Sequence, residues 1–364
     1  MKKVISVFLV LATLVCLCAG CGKSSEKTTI YVYNWGQYIS EGDDGSIDVI
    51  AEFEKKYPNI KVQYSTFDSN ETMYAKLKNG GITVDVVIPS DYMIGRMRQE
   101  GMLQELNYDN IPNAKFIDAS YRGMAFDPED KYSVPYTWGT TGIIYNSKYV
   151  DEADVTGWEL LWNEKYAGKI LMFDNSRDAF GIAEYLLGYS VNTTDSAELQ
   201  ACADKLAEQK PVVQQYVMDQ IFDAMENEEA WIAPYYAGDY LTMLDNNPDL
   251  KFVVPKEGSN WFVDAMCVLK TSQHKEEAEV WINFIASTDS NLANMDYIWF
   301  ASPNREALEQ YPAYYAEVNE EELDPEIYEI MAPPAETLDR CEIYENLPKD
   351  TLRLYDRLWT RLGV

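Results

Sequence analysis

Strand-like and helix-like segments alternate along this chain of 364 residues, and that alternation leaves few folds open. Thr29-Ile30-Tyr31-Val32-Tyr33 reads as a strand. Ile50, Phe53 and Tyr57 then recur at i, i+3, i+7 on one helix face, closed by Pro58. Ile60, Val62 and Tyr64 alternate as a second strand, and residues 70–78 read as a helix stopped by Asn79-Gly80-Gly81. Val84-Asp85-Val86-Val87-Ile88 is a nearly continuous apolar run, the pattern of a strand covered by helices on both faces. Further helices are expected over 177–187 and 195–209, where Asp195 and Glu198 have the spacing of a capping box. Ala278, Trp281, Ile282 and Ile285 stripe another helix, and Leu354, Leu358 and Leu362 a last one. Such alternation specifies an α/β protein with mainly parallel sheets. With 47% hydrophobic residues, the chain is long enough to build two domains.

The first 20 residues do not belong to that pattern. Lys2 and Lys3 precede an apolar run over 4–15 that only Ser6 and Thr13 interrupt. The run falls well short of the roughly 20 residues needed to span a bilayer, so residues 1–20 are expected to be a signal peptide. Cys21 follows Ala19-Gly20 and precedes a polar stretch over 22–27. This arrangement resembles the bacterial lipoprotein signal, in which the cysteine becomes the lipidated N-terminus; Cys18 departs from the usual Leu. The expectation is a protein exported to the periplasm or the outer face of the cytoplasmic membrane. Residues 21–28 would form its tether, with lipid on Cys21 as the membrane attachment.

Charge and chemistry then remove whole classes of function. The chain has 30 Lys and Arg against 60 Asp and Glu, and loss of Lys2 and Lys3 would leave 28 against 60, a formal charge of −32. A field of that sign repels nucleic acid and attracts small cations. Cys202, Cys267 and Cys341 are an odd set without metal-ligand spacing, so no disulfide framework is implied. The single histidine, His274, sits among Lys275, Glu276 and Glu277 and reads as a solvated helix terminus. There is no H-E-x-x-H, G-x-S-x-G or glycine-rich phosphate loop, so no metal or cofactor is expected and an enzyme is disfavoured.

Aromatic residues cluster beside the ends of the expected strands. Tyr33-Asn34-Trp35-Gly36-Gln37-Tyr38 follows the first, and Pro89-Ser90-Asp91-Tyr92 follows the run at 84–88. Tyr235-Tyr236-Ala237-Gly238-Asp239, Trp261-Phe262-Val263-Asp264 and Trp299-Phe300 are similar groups. In open α/β sheets ligands bind beyond the carboxyl ends of strands. Together with Asp178, Asp239 and Asp264, these rings suggest a pocket with aromatic walls and acidic ends, suited to an organic cation.

Several segments carry a resemblance in order along the chain. They are Tyr33-Asn34-Trp35, the stretch over 64–78, Val87-Ile88-Pro89-Ser90, the stretch over 134–142, the run over 188–195 and Val254-Pro255-Lys256-Glu257-Gly258. From about residue 29 to the C-terminus the chain resembles the spermidine/putrescine-binding proteins of polyamine ABC importers. The resemblance implies the type II periplasmic-binding-protein fold, two lobes of sheet and helix with ligand in the cleft between them. Lobe 1 would comprise 29–139 plus 264–314, and lobe 2 140–263 plus 315–364. The implied partners are a polyamine, the importer's permease and its ATPase, and the protein would act as a monomer.

Carried over by position, Trp35, Gln37 and Tyr38 would form one wall, with Ser90 and Tyr92 beside them. Asp178 would meet an ammonium from the other lobe, and Tyr236 and Phe262 would sandwich the alkyl chain. Asp264 resembles the central acid, and Phe300 and Tyr344 complete the box. Gln37 and Asn175 stand at or near positions where the family commonly has acids, while Phe300 and Tyr236 replace a Tyr and a Trp. Phe262, and Asp239 close to Tyr236, look like putrescine-type members, so a slight preference for putrescine over spermidine is expected. The rival readings are a sugar- or ferric-ion-binding lipoprotein, a secreted carboxylate-pair hydrolase and a surface-adhesion module. The Trp138–Gly142 stretch, with its two glycines, is expected to be a hinge, the alternative being an ordinary turn.

Overall fold

The computed structural model describes residues 27–364, so the expected leader and Cys21 lie outside the described residues. Nine strands are assigned among them: β1 (Thr28–Trp35), β2 (Ile60–Phe67), β3 (Val86–Val87), β4 (Ser133–Asn146), β5 (Ile170–Phe173), β6 (Val213–Val217), β7 (Ile232–Tyr236), β8 (Leu250–Val253) and β9 (Trp261–Val268). Their order is β2-β1-β3-β9-β4-β7-β5-β6, with β8 also paired to β4. β1 already begins at the last residue of the expected tether.

One strand ties the two lobes together. β4 pairs with β9 from Ser133 to Thr140 and with β7 from Thr141 to Tyr145. On its first side lie the parallel pairs β1–β2 and β1–β3, and on its second side β5–β6 and β5–β7. The pairs β3–β9, β4–β9, β4–β7 and β4–β8 are all antiparallel. The sheets are therefore mixed where mainly parallel ones were expected. β4 and β9 link the lobes directly, and direct return strands must run against their neighbours.

Gly139 and Gly142 lie inside β4, which is a continuous strand here and not a turn. Neither has a positive φ. Their role is close approach: a Cβ on Gly139 would stand 3.0 Å from Phe262 Cζ and 3.1 Å from Phe300 Cδ1, and one on Gly142 would collide with Phe252.

The expected helices form with local causes visible. Asp48 caps helix Val49–Lys56 by accepting from Ala51 N at 2.8 Å, and Ser69 caps helix Asn70–Lys78 through Thr72 N at 3.2 Å. Asp195 caps helix Ser196–Gln209, but the reciprocal arm of the capping box goes elsewhere: Glu198 accepts from the Thr193 hydroxyl, which itself receives Asp195 N. Asp85, the one acid in the buried run, accepts from Tyr31 N at 2.9 Å and Ser272 Oγ at 2.6 Å. In the first lobe Phe53 packs edge-on against Trp281 at 4.9 Å, and both are fully buried. Each such ring contributes roughly 2–3 kcal/mol by removal from water. No helix among the described residues is long and apolar enough to cross a membrane.

Candidate functional site

The carboxyl ends of the parallel strands of both lobes open onto one cleft of about 830 Å³. β1 delivers Trp35, Gln37 and Tyr38 to its lining, and the segments after β2 and β3 deliver Glu71, Ser90 and Tyr92. From the other lobe β5 delivers Asn175 and Asp178, β6 delivers Asp219, and β7 delivers Tyr236 and Asp239. Phe262 and Asp264 of β9, with Phe300 and Tyr344, complete it. All twelve residues expected to bind ligand therefore meet in one cavity.

Asp264 is 3% exposed and lies between Tyr38 and Ser90, whose side chains both favour its ionised form. Tyr38 donates to Oδ2 at 2.8 Å, and Thr137 Oγ1 lies 2.5 Å from the Tyr38 hydroxyl. Oδ1 is buried with no hydrogen-bond partner. Burial, reinforced by the nearby Asp178 charge, pushes the Asp264 carboxyl up to about 6. The residue lines the cleft with one oxygen fixed by Tyr38.

Asp178 sits near the start of helix Ser176–Leu187, where its N–H donates to the Asn175 cap at 2.9 Å. Tyr236 donates to its Oδ2 at 2.7 Å, and Asn175 Nδ2 donates to the same oxygen. Burial raises this carboxyl too. Glu71 accepts from Tyr92 at 2.8 Å and is likewise raised by burial. Asp91 receives Tyr92 N at 2.6 Å and Val263 N at 3.2 Å, joining the lobe's helix Asp91–Gln99 to β9. Burial raises both Asp91 and Asp239 well above the ordinary carboxylate range, and Asp219 adds to the rise at Asp239.

The acids of the cleft act on one another. The Asp178 charge adds to the rise at Asp264 and Glu71, the Asp264 charge to that at Asp91, and the Asp219 charge to that at Asp239. The rings differ from expectation. Tyr236 and Phe262 meet edge to face, centroids 5.4 Å apart at 78°, which leaves no room for an alkyl chain between them. Phe300 touches Phe262 at 6.0 Å and Tyr38 at 5.0 Å, so these rings form a continuous wall and not a sandwich. Trp35 leans on Phe67 at 4.6 Å, with its Nε1 buried and unpartnered.

Tyr344, on the C-terminal segment, is fixed from behind. The Arg177 guanidinium lies 4.5 Å from its ring and donates to Tyr355 at 3.0 Å and Asn192 at 2.8 Å. Gln37 adopts a left-handed φ of 50° and is exposed at the rim. The sequence reading missed Asp68, Glu71, Asp91 and Asp219. Asp219 follows a strand whose sequence, Val213-Gln214-Gln215-Tyr216-Val217, lacks an apolar alternation and marks a sheet edge. His274 is half-buried at the start of helix Lys275–Ile285, away from the cleft lining.

Residues 48–320 match the family of bacterial extracellular solute-binding proteins. The chain is 32% identical over 342 residues to the spermidine/putrescine-binding periplasmic protein of Salmonella typhimurium, covering 93% of this chain and 92% of that one. A solved structure from Listeria monocytogenes, described as a candidate spermidine/putrescine ABC transporter, superposes with a TM-score of 0.83 at 36% identity, covering 93% and 99%. The Tp0655 (TpPotD) lipoprotein of Treponema pallidum superposes at 0.77 with 26% identity, covering 92% and 99%.

Proposed function

The chain belongs to the bacterial extracellular solute-binding proteins, and we propose that it is the polyamine-capturing component of an ABC importer. One observation carries this reading. Asp68, Glu71, Asp91, Asp178, Asp219, Asp239 and Asp264 all line the cleft, while no Lys or Arg does so among the described residues. Burying carboxylates is unfavourable, Arg177 behind the wall offsets only part of it at Glu71, Asp91 and Asp178, and a ligand bearing ammonium groups reverses that sign. A neutral sugar would leave the acids unpaired.

In this reading Asp264 Oδ1 accepts from one ammonium, with Asp178 next to it. Trp35, Tyr38, Tyr92, Tyr236, Phe262, Phe300 and Tyr344 enclose the methylene chain, and Ser90 and Gln37 offer neutral oxygens. Desolvated rings attract such cations by roughly 0.5–2 kcal/mol each. Asp239 lies toward the other end.

We take lobe 1 as 29–139 plus 264–314 and lobe 2 as 140–263 plus 315–364. β4 passes from β9 to β7 between Thr140 and Thr141, and β9 pairs with β4 from Trp261 onward, close to both crossings. Lipid on Cys21 would hold the monomer beside the permease and ATPase; the similar Treponema pallidum protein is itself described as a lipoprotein. Calorimetric titration against putrescine, spermidine and a sugar panel tests the reading. One saturable polyamine site per chain is expected, and saturation by a sugar alone would overturn it.

A further inference from the structure

Helix Asp91–Gln99 of the first lobe meets the C-terminal segment 343–346, which packs with the second lobe, along one helix face. Tyr92, Gly95 and Gln99 recur at i, i+3, i+7 and so share that face. The rings of Tyr92 and Tyr344 meet edge to face, centroids 6.1 Å apart at 80°. A Cβ on Gly95 would stand 3.4 Å from Asn346 Cβ, and Asn346 Nδ2 donates to Gln99 Oε1 at 2.9 Å.

Arg177, 4% exposed, holds that segment from behind. Its Nη2 donates to Asn192 Oδ1 at 2.8 Å and to the Glu345 carbonyl at 3.4 Å. Asn192 in turn donates to the Ile343 carbonyl and accepts from Glu345 N, both at 2.8 Å. Nη1 donates to the Tyr355 hydroxyl at 3.0 Å, and Tyr355 donates to the fully buried Glu184. The guanidinium carbon lies 4.5 Å from the Tyr344 ring centre and 5.8 Å from that of Tyr92 in the opposite lobe.

We propose that Arg177 is a positioning residue for closure, holding segment 343–346 as a latch that docks on helix Asp91–Gln99. This rests on the polyamine reading and adds to it the device that keeps the site shut. The anchors at Asn192, Glu345 and Tyr355 belong to one lobe and persist when the cleft opens, whereas Tyr92 and Gln99 leave with the other. Contacts made in only one of two states bias the equilibrium toward it. The charge of Arg177 taken alone works the opposite way, since a cation behind the wall repels an ammonium in the cleft. A planar fork can hold three acceptors and a ring face at once, which the point charge of a lysine cannot.

The test is stopped-flow binding of putrescine, read by tryptophan fluorescence, to wild type, Arg177→Lys, Arg177→Met and Asn346→Ala. Both Arg177 variants should release putrescine about tenfold faster while association stays within about twofold, because ligand enters the open form. Asn346→Ala loses one exposed hydrogen bond that the fold does not need, and should release ligand about threefold faster. Wild-type release from Arg177→Lys or from Asn346→Ala overturns the inference and leaves the polyamine reading intact. Slower release from Arg177→Met also overturns it, because Arg177 would then act through its charge alone. Fewer binding sites per chain with an unchanged release rate would reduce Arg177 to a folding role and overturn it as well. If wild type binds no polyamine, both readings fall together.

Discussion

The Tyr38 hydroxyl donates to Asp264 Oδ2 at 2.8 Å, and Oδ1 of the same carboxylate is buried without a partner. One oxygen is fixed by Tyr38, and the other is the atom proposed to meet a ligand ammonium. The consequences can be measured.

Affinity should depend on pH through this acid. Asp264 titrates at about 6 in the unliganded protein, and an ammonium binds its ionised form. Polyamine affinity should therefore fall as pH drops below about 6, by up to about tenfold per pH unit. Stability of the unliganded protein should move the other way. The folded carboxyl binds its proton more tightly than the unfolded one, so Asp264 lowers stability as pH rises from about 4 to about 6. Titration calorimetry and thermal melts between pH 4.5 and 7.5 check both signs. A flat affinity profile would mean that Asp264 does not contact the cation.

Asp264→Asn keeps the shape and an acceptor for Tyr38 but removes the charge. Leaving an ammonium without its buried partner typically costs roughly 3–5 kcal/mol, or about 100-fold to several thousand-fold in affinity. The unliganded variant should melt no lower than wild type, because the carboxylate it loses was only half satisfied. Wild-type affinity in this variant would sink the assignment.

Gln37→Glu adds an anion beside Asp219 without changing the left-handed backbone that Gln37 already tolerates. Spermidine should bind more tightly, and putrescine should gain less. Equal gains for both ligands, read by calorimetry, would place residue 37 at an end that they share.

Gly238 lies against Phe300, and a Cβ there would come within 2.5 Å of the ring. Gly238→Ala should act as a wedge between helix Ala237–Met243 and the β9 side of the cleft. Small-angle scattering should show wild type becoming more compact with ligand and the variant doing so less. Affinity should fall at least about tenfold, since closure supplies contacts from both lobes. Full compaction in the variant would mean that Phe300 yields freely.

Much of this was legible in the chain because its causes are local. Helix Asn70–Lys78 follows from its Ser69 cap and the glycines behind it, and the aromatic groups beyond β1, β3 and β7 lie where strand ends must face a crevice. β6 was not legible. An edge strand with polar residues on its open side carries no apolar alternation, and Asp219 was missed with it. The rings that crowd the glycines of β4, Phe252, Phe262 and Phe300, are distant in sequence, so that constraint could not be read from the chain.

Residues adjacent along the chain are enough to specify the α/β pattern, the excess of acids and the set of rings and carboxylates that could serve a cation. Periodicity, capping and charge are properties of neighbours along the chain. The grouping of those carboxylates was decided only by the tertiary structure. Glu71, Asp91, Asp178, Asp239 and Asp264, spread over almost two hundred positions of sequence, line one cleft. Which charges share a desolvated space depends on how two sheets joined through one strand fold toward each other. No local pattern encodes that distance.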